Sequence, residues 1–212
     1  MQLQKLWSGF TNEQYNYITN IIKNSDAKSI CELGTFVGTT AKHIWEHIKN
    51  SNKKLYLVDN YLFLPENKRQ KFFDAVKHSI DSNTTNIITV LENSHTYRWT
   101  QHNFIIFGHH DADHMVPDLN TLMNSDVDYA IIGDGTPKCF QRTKAVYELI
   151  ANLSGKGLCP QYYLNGLIVL GRKQLECTLP TKEDFLFGHK IKYMPKPKGN
   201  YLKAIDELKR IY

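Results

Sequence analysis

The sequence predicts a three-layer α/β domain, with a mainly parallel sheet, helices on both faces and a final antiparallel hairpin. Three observations lead there. Apolar strand-like runs alternate with amphipathic helical stretches along most of the chain, the pattern of βαβ units. The strand-like runs are almost continuously apolar, as strands buried on both faces are. The last two such runs flank Asn165-Gly166, a dipeptide that favours a tight hairpin turn.

Each element has a local reason. "TNEQYNYITNIIKN" opens with Thr11 and has Gln14 three residues on, a capping box. Tyr15, Ile18, Ile21 and Ile22 then fall on one helical face. "KSICEL" reads as a strand and "TTAKHIWEHIKN" as a helix burying Ala41, Ile44, Trp45 and Ile48. "KKLYLVDN" is a second strand ending in Asp59. Pro65 suits the first turn of "PENKRQKFFDAVKHSI", whose inner face carries Phe72, Phe73, Val76 and Ile80. "NIITVLE" and "HNFIIFG" are the third and fourth strands, separated by a polar stretch. "DADHMVPDLNTLM" is expected to be helical only from near Pro117, because proline breaks a helix interior. "VDYAIIGD" is the fifth strand and "CFQRTKAVYELIANL" a helix facing inward with Val146, Leu149, Ile150 and Leu153. "LCPQYYLNGLIVLGRK" is the hairpin. "MPKPKGN" is linker-like, which divides the chain into a main body, 1–194, and a basic linker with a terminal helix, 195–212.

Composition narrows the class. The chain has 212 residues, 42% hydrophobic and 22% charged, ordinary for a globular domain. No apolar run approaches the roughly 18 residues of a membrane span, and "MQLQKLWSGFTNEQ" lacks the pattern of a signal peptide. Cys31, Cys139, Cys159 and Cys177 form no CxxC pair, which suits reduced thiols and a cytoplasmic location. Much of the net charge of +5 lies in the C-terminal segment. It reads as a solvated tail, so neither a nucleic acid nor a membrane is the expected partner.

"ICELGTFVGTTAKH" raises the functional question. Gly34 and Gly38 stand four apart between a strand and a helix, where glycine lets backbone approach a ligand closely. Open parallel sheets bind ligands beyond the carboxyl ends of their strands. Asp59 ends the second strand, where a carboxylate can accept from both hydroxyls of a ribose. Asn93 or Ser94 ends the third, within reach of an adenine edge. The spacing is neither that of dinucleotide folds nor that of a phosphate loop.

"CELGTFVGTTAKHI" followed by "LYLVDNY" resembles motifs I and II of class I S-adenosylmethionine-dependent methyltransferases. Glutamate before the glycine, and Gly-Thr-Thr opening the helix, resemble the small O-methyltransferases called methyltransferase family 24. The likeness covers residues 10–172 and implies a Rossmann-like methyltransferase fold with S-adenosylmethionine as cofactor. It implies Glu32 and Gly34 near the methionine moiety, Gly38 and Thr39 beside it, Asp59 on the ribose and Ser94 near the adenine. Thr35, Phe36, Asn60 and Asn93 complete the expected cofactor-binding set. The implied reaction is methyl transfer to a hydroxyl or amine of a small molecule, with homo-oligomerisation left open.

The chemical end departs from that family. Its members commonly carry D-G-D-H before a distant Asp-Leu, whereas this chain has "FGHHDADHMVPDL" and then "IIGDG". Aligned on Asp118-Leu119, Phe107 and His109 replace two acids, while His110 and Asp134 match. Without those carboxylates a divalent metal is not expected. His110 or His109 is the candidate general base, with Asp134 beside them as a further catalytic candidate. Two alternatives stand beside this one. One is a catalytically inactive cofactor-binding or assembly protein of the same fold. The other is a zinc hydrolase, because "HHDADH" resembles the H-x-H-x-D-H of metallo-β-lactamase-fold enzymes, with Asp111 in place of the second histidine. His43 and His47, one turn apart, could clip a metal but read more simply as a solvated helix face. Tyr97, Trp99, Tyr162 and Tyr163 could line a substrate pocket or pack beneath loops.

Overall fold

The strands are β1 (Ser29–Leu33), β2 (Lys54–Val58), β3 (Ile87–Val90), β4 (Phe104–Phe107), β5 (Tyr129–Ile132), β6 (Cys159–Leu164) and β7 (Leu167–Gly171). They form one sheet in the order β3-β2-β1-β4-β5-β7-β6. The structure, a computed structural model, describes residues 3–6, 8, 10–108, 112–133, 159–164, 167–172 and 201–212. The first five strands pair in parallel, and β7 runs antiparallel to both β5 and β6. The strand order reverses between β1 and β4, the kind of position at which open parallel sheets bind ligands. Leu164 pairs with Leu167, the register a two-residue hairpin loop requires. The Asn165-Gly166 turn itself lies outside the described residues, as does the helix expected over 139–153.

The described helices are α1 (Asn12–Asn24), α2 (Thr39–Ile48), α3 (Glu66–Ile80), α4 (Ala112–Met123) and α5 (Tyr201–Ile211). The capping box of α1 forms as its sequence requires: the Gln14 amide donates to Thr11 Oγ1 and the Thr11 amide to Gln14 Oε1. The inner faces expected for α2 and α3 are all buried. Each of Phe72, Phe73 and Val76, fully enclosed, contributes about 1.5–3 kcal/mol through removal of apolar surface from water. Lys53 is buried at the exit from α1. Its Nζ donates to the carbonyls of Ser25 and Ala27, both at 2.7 Å, and burial pushes its ammonium pKa down.

Helix α4 differs from expectation. It begins at Ala112, with Pro117 inside it rather than near its start. The ring is on the exposed side, while Asp118, Leu119 and Leu122 are buried. Anchoring by that inner face outweighs the one backbone hydrogen bond that proline forfeits. The last helix also returns to the body. Ala204 and Leu208 join the main core, and the Tyr212 ring meets Phe72 edge-on at 5.0 Å.

The polar stretch between β3 and β4 covers the other face of the sheet without a long helix. Trp99, in a 3-10 turn, is 2% exposed and meets Phe107 edge-on at 5.6 Å. It is a core residue. The side chains of Tyr162 and Tyr163 lie outside the described residues. Cys31, on the same sheet face, is a free and buried thiol whose pKa burial pushes well up. No helix among the described residues is long and apolar enough to cross a membrane.

Candidate functional site

Strand β1 ends in the two-glycine turn. Gly34 has φ 82° and Gly38 φ 74°, both left-handed conformations in which a side chain is strained. A Cβ on Gly38 would stand 2.8 Å from Val76 Cγ1 and 3.1 Å from Ile80 Cδ1, so α3 fills the space that a side chain would need. At Gly38 packing against α3, as well as positive φ, requires glycine. Gly108, just beyond β4, donates its amide to the Leu33 carbonyl at 2.7 Å. A Cβ there would stand 2.8 Å from the Gly34 carbonyl oxygen.

Phe36 has φ 49°, unusual for a residue with a side chain. Its strain is held from both sides. Its amide donates to Asp59 Oδ2 at 2.8 Å, and its carbonyl accepts from the Tyr61 hydroxyl at 2.9 Å. Tyr61, at φ 47°, donates its own amide to Asp59 Oδ1 at 2.8 Å. Asp59 thus clasps the turn after β1 to the turn after β2, and both of its oxygens are engaged. A carboxylate at the end of β2 lies where open parallel sheets bind ligands. Asn60 accepts from the Leu62 amide at 3.3 Å, and Asn93 from the His95 amide at 2.9 Å. These side chains shape their loops.

Glu32 is 2% exposed at the end of β1. Its Oε2 and the neighbouring Thr35 Oγ1 are buried without a hydrogen-bond partner. Burial raises the Glu32 pKa to about 8. The Thr40 hydroxyl opposes this, the Asp59 charge adds to it, and the Thr35 hydroxyl, beside the carboxyl but outside hydrogen-bond geometry, opposes it in part. Buried polar atoms are nearly always paired, so these two retain bonding capacity at the turn. The chain also leaves α2 without a side-chain cap, with Gly38 at the N-cap. The partial positive end of that helix therefore meets the turn.

The sequence did not single out three contributors. Tyr15, from α1, stacks on His43 at 4.0 Å and bonds Ser8 Oγ at 3.2 Å, with the Thr40 hydroxyl as a further partner. Gln4 donates to the Val37 carbonyl at 3.3 Å and to Ser79 Oγ at 2.6 Å, and its own carbonyl accepts from the Thr39 hydroxyl at 3.4 Å. Phe10 reaches the carboxyl end of β5, its ring 2.8 Å from where a Cβ of Gly133 would stand. The periodicity of α1 places Tyr15 inward, but nothing in it says that the hydroxyl reaches toward β1.

The turn residues Glu32, Gly34, Thr35, Phe36, Gly38 and Thr39 are thus gathered with Asp59 and Asn60. His109, His110 and Asp134 lie outside the described residues. His47 uses its Nδ1 to donate to the His43 carbonyl at 2.8 Å, and the His43 ring is engaged by Tyr15.

No protein-family model and no curated protein matches the chain. Solved structures do. The chain is similar to an S-adenosylhomocysteine-bound methyltransferase of Podospora anserina, PaMTH1. The TM-score is 0.58 at 10% identity, over 78% of this chain and 80% of that one. It is similar to an O-methyltransferase of Bacillus cereus in complex with S-adenosylhomocysteine (TM-score 0.56, 12% identity, 76% and 82% covered). A Streptococcus thermophilus rRNA methylase gives a TM-score of 0.50 at 14% identity, with 76% and 95% covered. The fold is that of the class I methyltransferases. That fold has helices interleaved with a parallel sheet, so the sandwich that would give "HHDADH" its hydrolase context is not the architecture found.

Proposed function

We propose that the protein is an S-adenosylmethionine-dependent methyltransferase acting on a hydroxyl or amine of a small molecule, related to methyltransferase family 24. The observation that carries this reading is the pair of unpartnered buried atoms, Glu32 Oε2 and Thr35 Oγ1, at the glycine turn between β1 and α2. An amino-acid tail supplies what they lack: its ammonium suits a carboxylate, and its carboxylate suits the uncapped start of α2. Asp59, one strand over at the end of β2, is the acid this reading assigns to the ribose hydroxyls. S-adenosylmethionine joins those two ends in one molecule and brings an activated methyl group, so the protein's task is chiefly alignment. In this reading His110 or His109 receives the acceptor's proton, Asp134 stands beside them, and no divalent metal is needed. The protein is placed in the cytoplasm.

Calorimetry with S-adenosylmethionine and S-adenosylhomocysteine, with and without magnesium, tests the reading. Binding of both with unchanged affinity in magnesium is expected. Absence of binding to either sinks the proposal. Methyl transfer to bulk RNA but not to small phenols or amines would move the acceptor to nucleic acid, as in the rRNA methylase of the same fold.

A further inference from the structure

We propose that ligand capture at the glycine turn is coupled to proton release: a cationic group arriving beside Glu32 displaces the proton this carboxyl carries, and Tyr15 and Thr40 are the positioning residues that set the exchange. The inference rests on the functional reading above and concerns the regulation of the same site.

The geometry leads to it. The Glu32 carboxyl is 2% exposed, and one of its oxygens has no donor. An ionised carboxylate in that setting is costly, whereas a protonated one is tolerated. The charge that faces it adds to the bias: Asp59, from the loop after β2, bears the same sign, while the enclosed Tyr61 of that loop stays neutral. Burial raises the Glu32 pKa to about 8, in keeping with a carboxyl that holds its proton near neutral pH. The Thr40 hydroxyl opposes that rise, and Tyr15 is bonded in turn to Thr40 and Ser8. A chain of hydroxyls therefore runs from the N-terminal helix to the carboxyl. When an ammonium group enters, it supplies both the missing donor and the compensating charge, and the carboxylic proton leaves to solvent. No other bond forms or breaks.

Two consequences are measurable. S-adenosylhomocysteine binding tightens with pH, by about tenfold per unit below the Glu32 midpoint, and levels off above it. The binding enthalpy near neutral pH differs between phosphate and Tris by the ionisation heat of about one released proton. Glu32→Gln imitates the protonated carboxyl, so it keeps the fold, weakens binding and abolishes proton release. Thr40→Val removes the hydroxyl that favours the charged form and moves the levelling-off point to higher pH, an effect that mere loosening of the turn does not produce. If S-adenosylhomocysteine binds with the same enthalpy in both buffers and a pH-independent affinity, the proton coupling is wrong while the cofactor reading survives. If neither cofactor form binds at any pH, the functional reading fails and the coupling falls with it.

Discussion

The amide of Phe36 donates to Oδ2 of Asp59 across a 2.8 Å bond, tying a strained turn after one strand to the acid that ends its neighbour. With the Tyr61 amide on Oδ1, this carboxylate holds two left-handed residues in place. A residue expected to serve a ligand is therefore also a structural clasp.

Asp59→Ala should cost stability as well as binding. Each lost bond to a charged acceptor is worth about 1.5–3 kcal/mol, so denaturant unfolding should show a loss of at least about 2 kcal/mol. Asp59→Asn keeps one carbonyl acceptor and should recover part of it. An alanine variant as stable as the wild type would show that the clasp contributes nothing.

Glu32 predicts a stability slope without any ligand. Its folded pKa of about 8 lies above the ordinary carboxylate value, so the folded state holds its proton longer than the unfolded chain does. Stability is complete below the unfolded pKa and falls as pH rises toward about 8. Thermal melting across that range should show the decline in the wild type and a flatter profile in Glu32→Gln. Parallel profiles would mean the carboxyl is ionised in the fold.

His102 predicts a slope of opposite sign on the acid side. Its ring is buried beside Tyr56, it bonds the Tyr97 hydroxyl at 2.9 Å, and burial pushes its pKa down to about 4. The unfolded chain takes up a proton near pH 6.5 that the folded state refuses. Stability is thus lost as pH falls from there toward about 4. His102→Gln should flatten that part of the curve.

His110→Ala should slow methyl transfer by about a hundredfold or more while S-adenosylhomocysteine affinity stays nearly unchanged, as loss of a general base does. Transfer at the wild-type rate would remove His110 from the chemistry and leave His109 as the candidate.

Where burial decided conformation, the elements were legible in the chain. The faces of α2 and α3 follow from the spacing of Ile44, Trp45, Phe72 and Phe73, and the parallel order from apolar strands alternating with those helices. Pro117 misled because a local rule about proline was outweighed by Leu119 and Leu122 beneath it. The meeting of two strand ends was legible through Gly34, Gly38 and Asp59, but the wiring around it was not. Tyr15 meets Thr40, and Gln4 meets Thr39 and Ser79, only because α1 and the segment before it fold back over α2. Contacts between residues so far apart in sequence leave no periodic trace in a single chain.

Gly38 offers the sharpest separation of backbone from packing. Alanine there must adopt φ 74° and also place its methyl 2.8 Å from Val76 Cγ1. The first demand costs about 1–2 kcal/mol and the second about 1–3 kcal/mol. Val76→Ala opens the space against α3 but leaves the dihedral unchanged. In that background Gly38→Ala should therefore cost about 1 kcal/mol less than in the wild type, a coupling that denaturant unfolding of the double-mutant cycle resolves. Strict additivity would mean that the neighbouring α3 side chains shift without penalty, and that positive φ alone requires glycine at the start of α2.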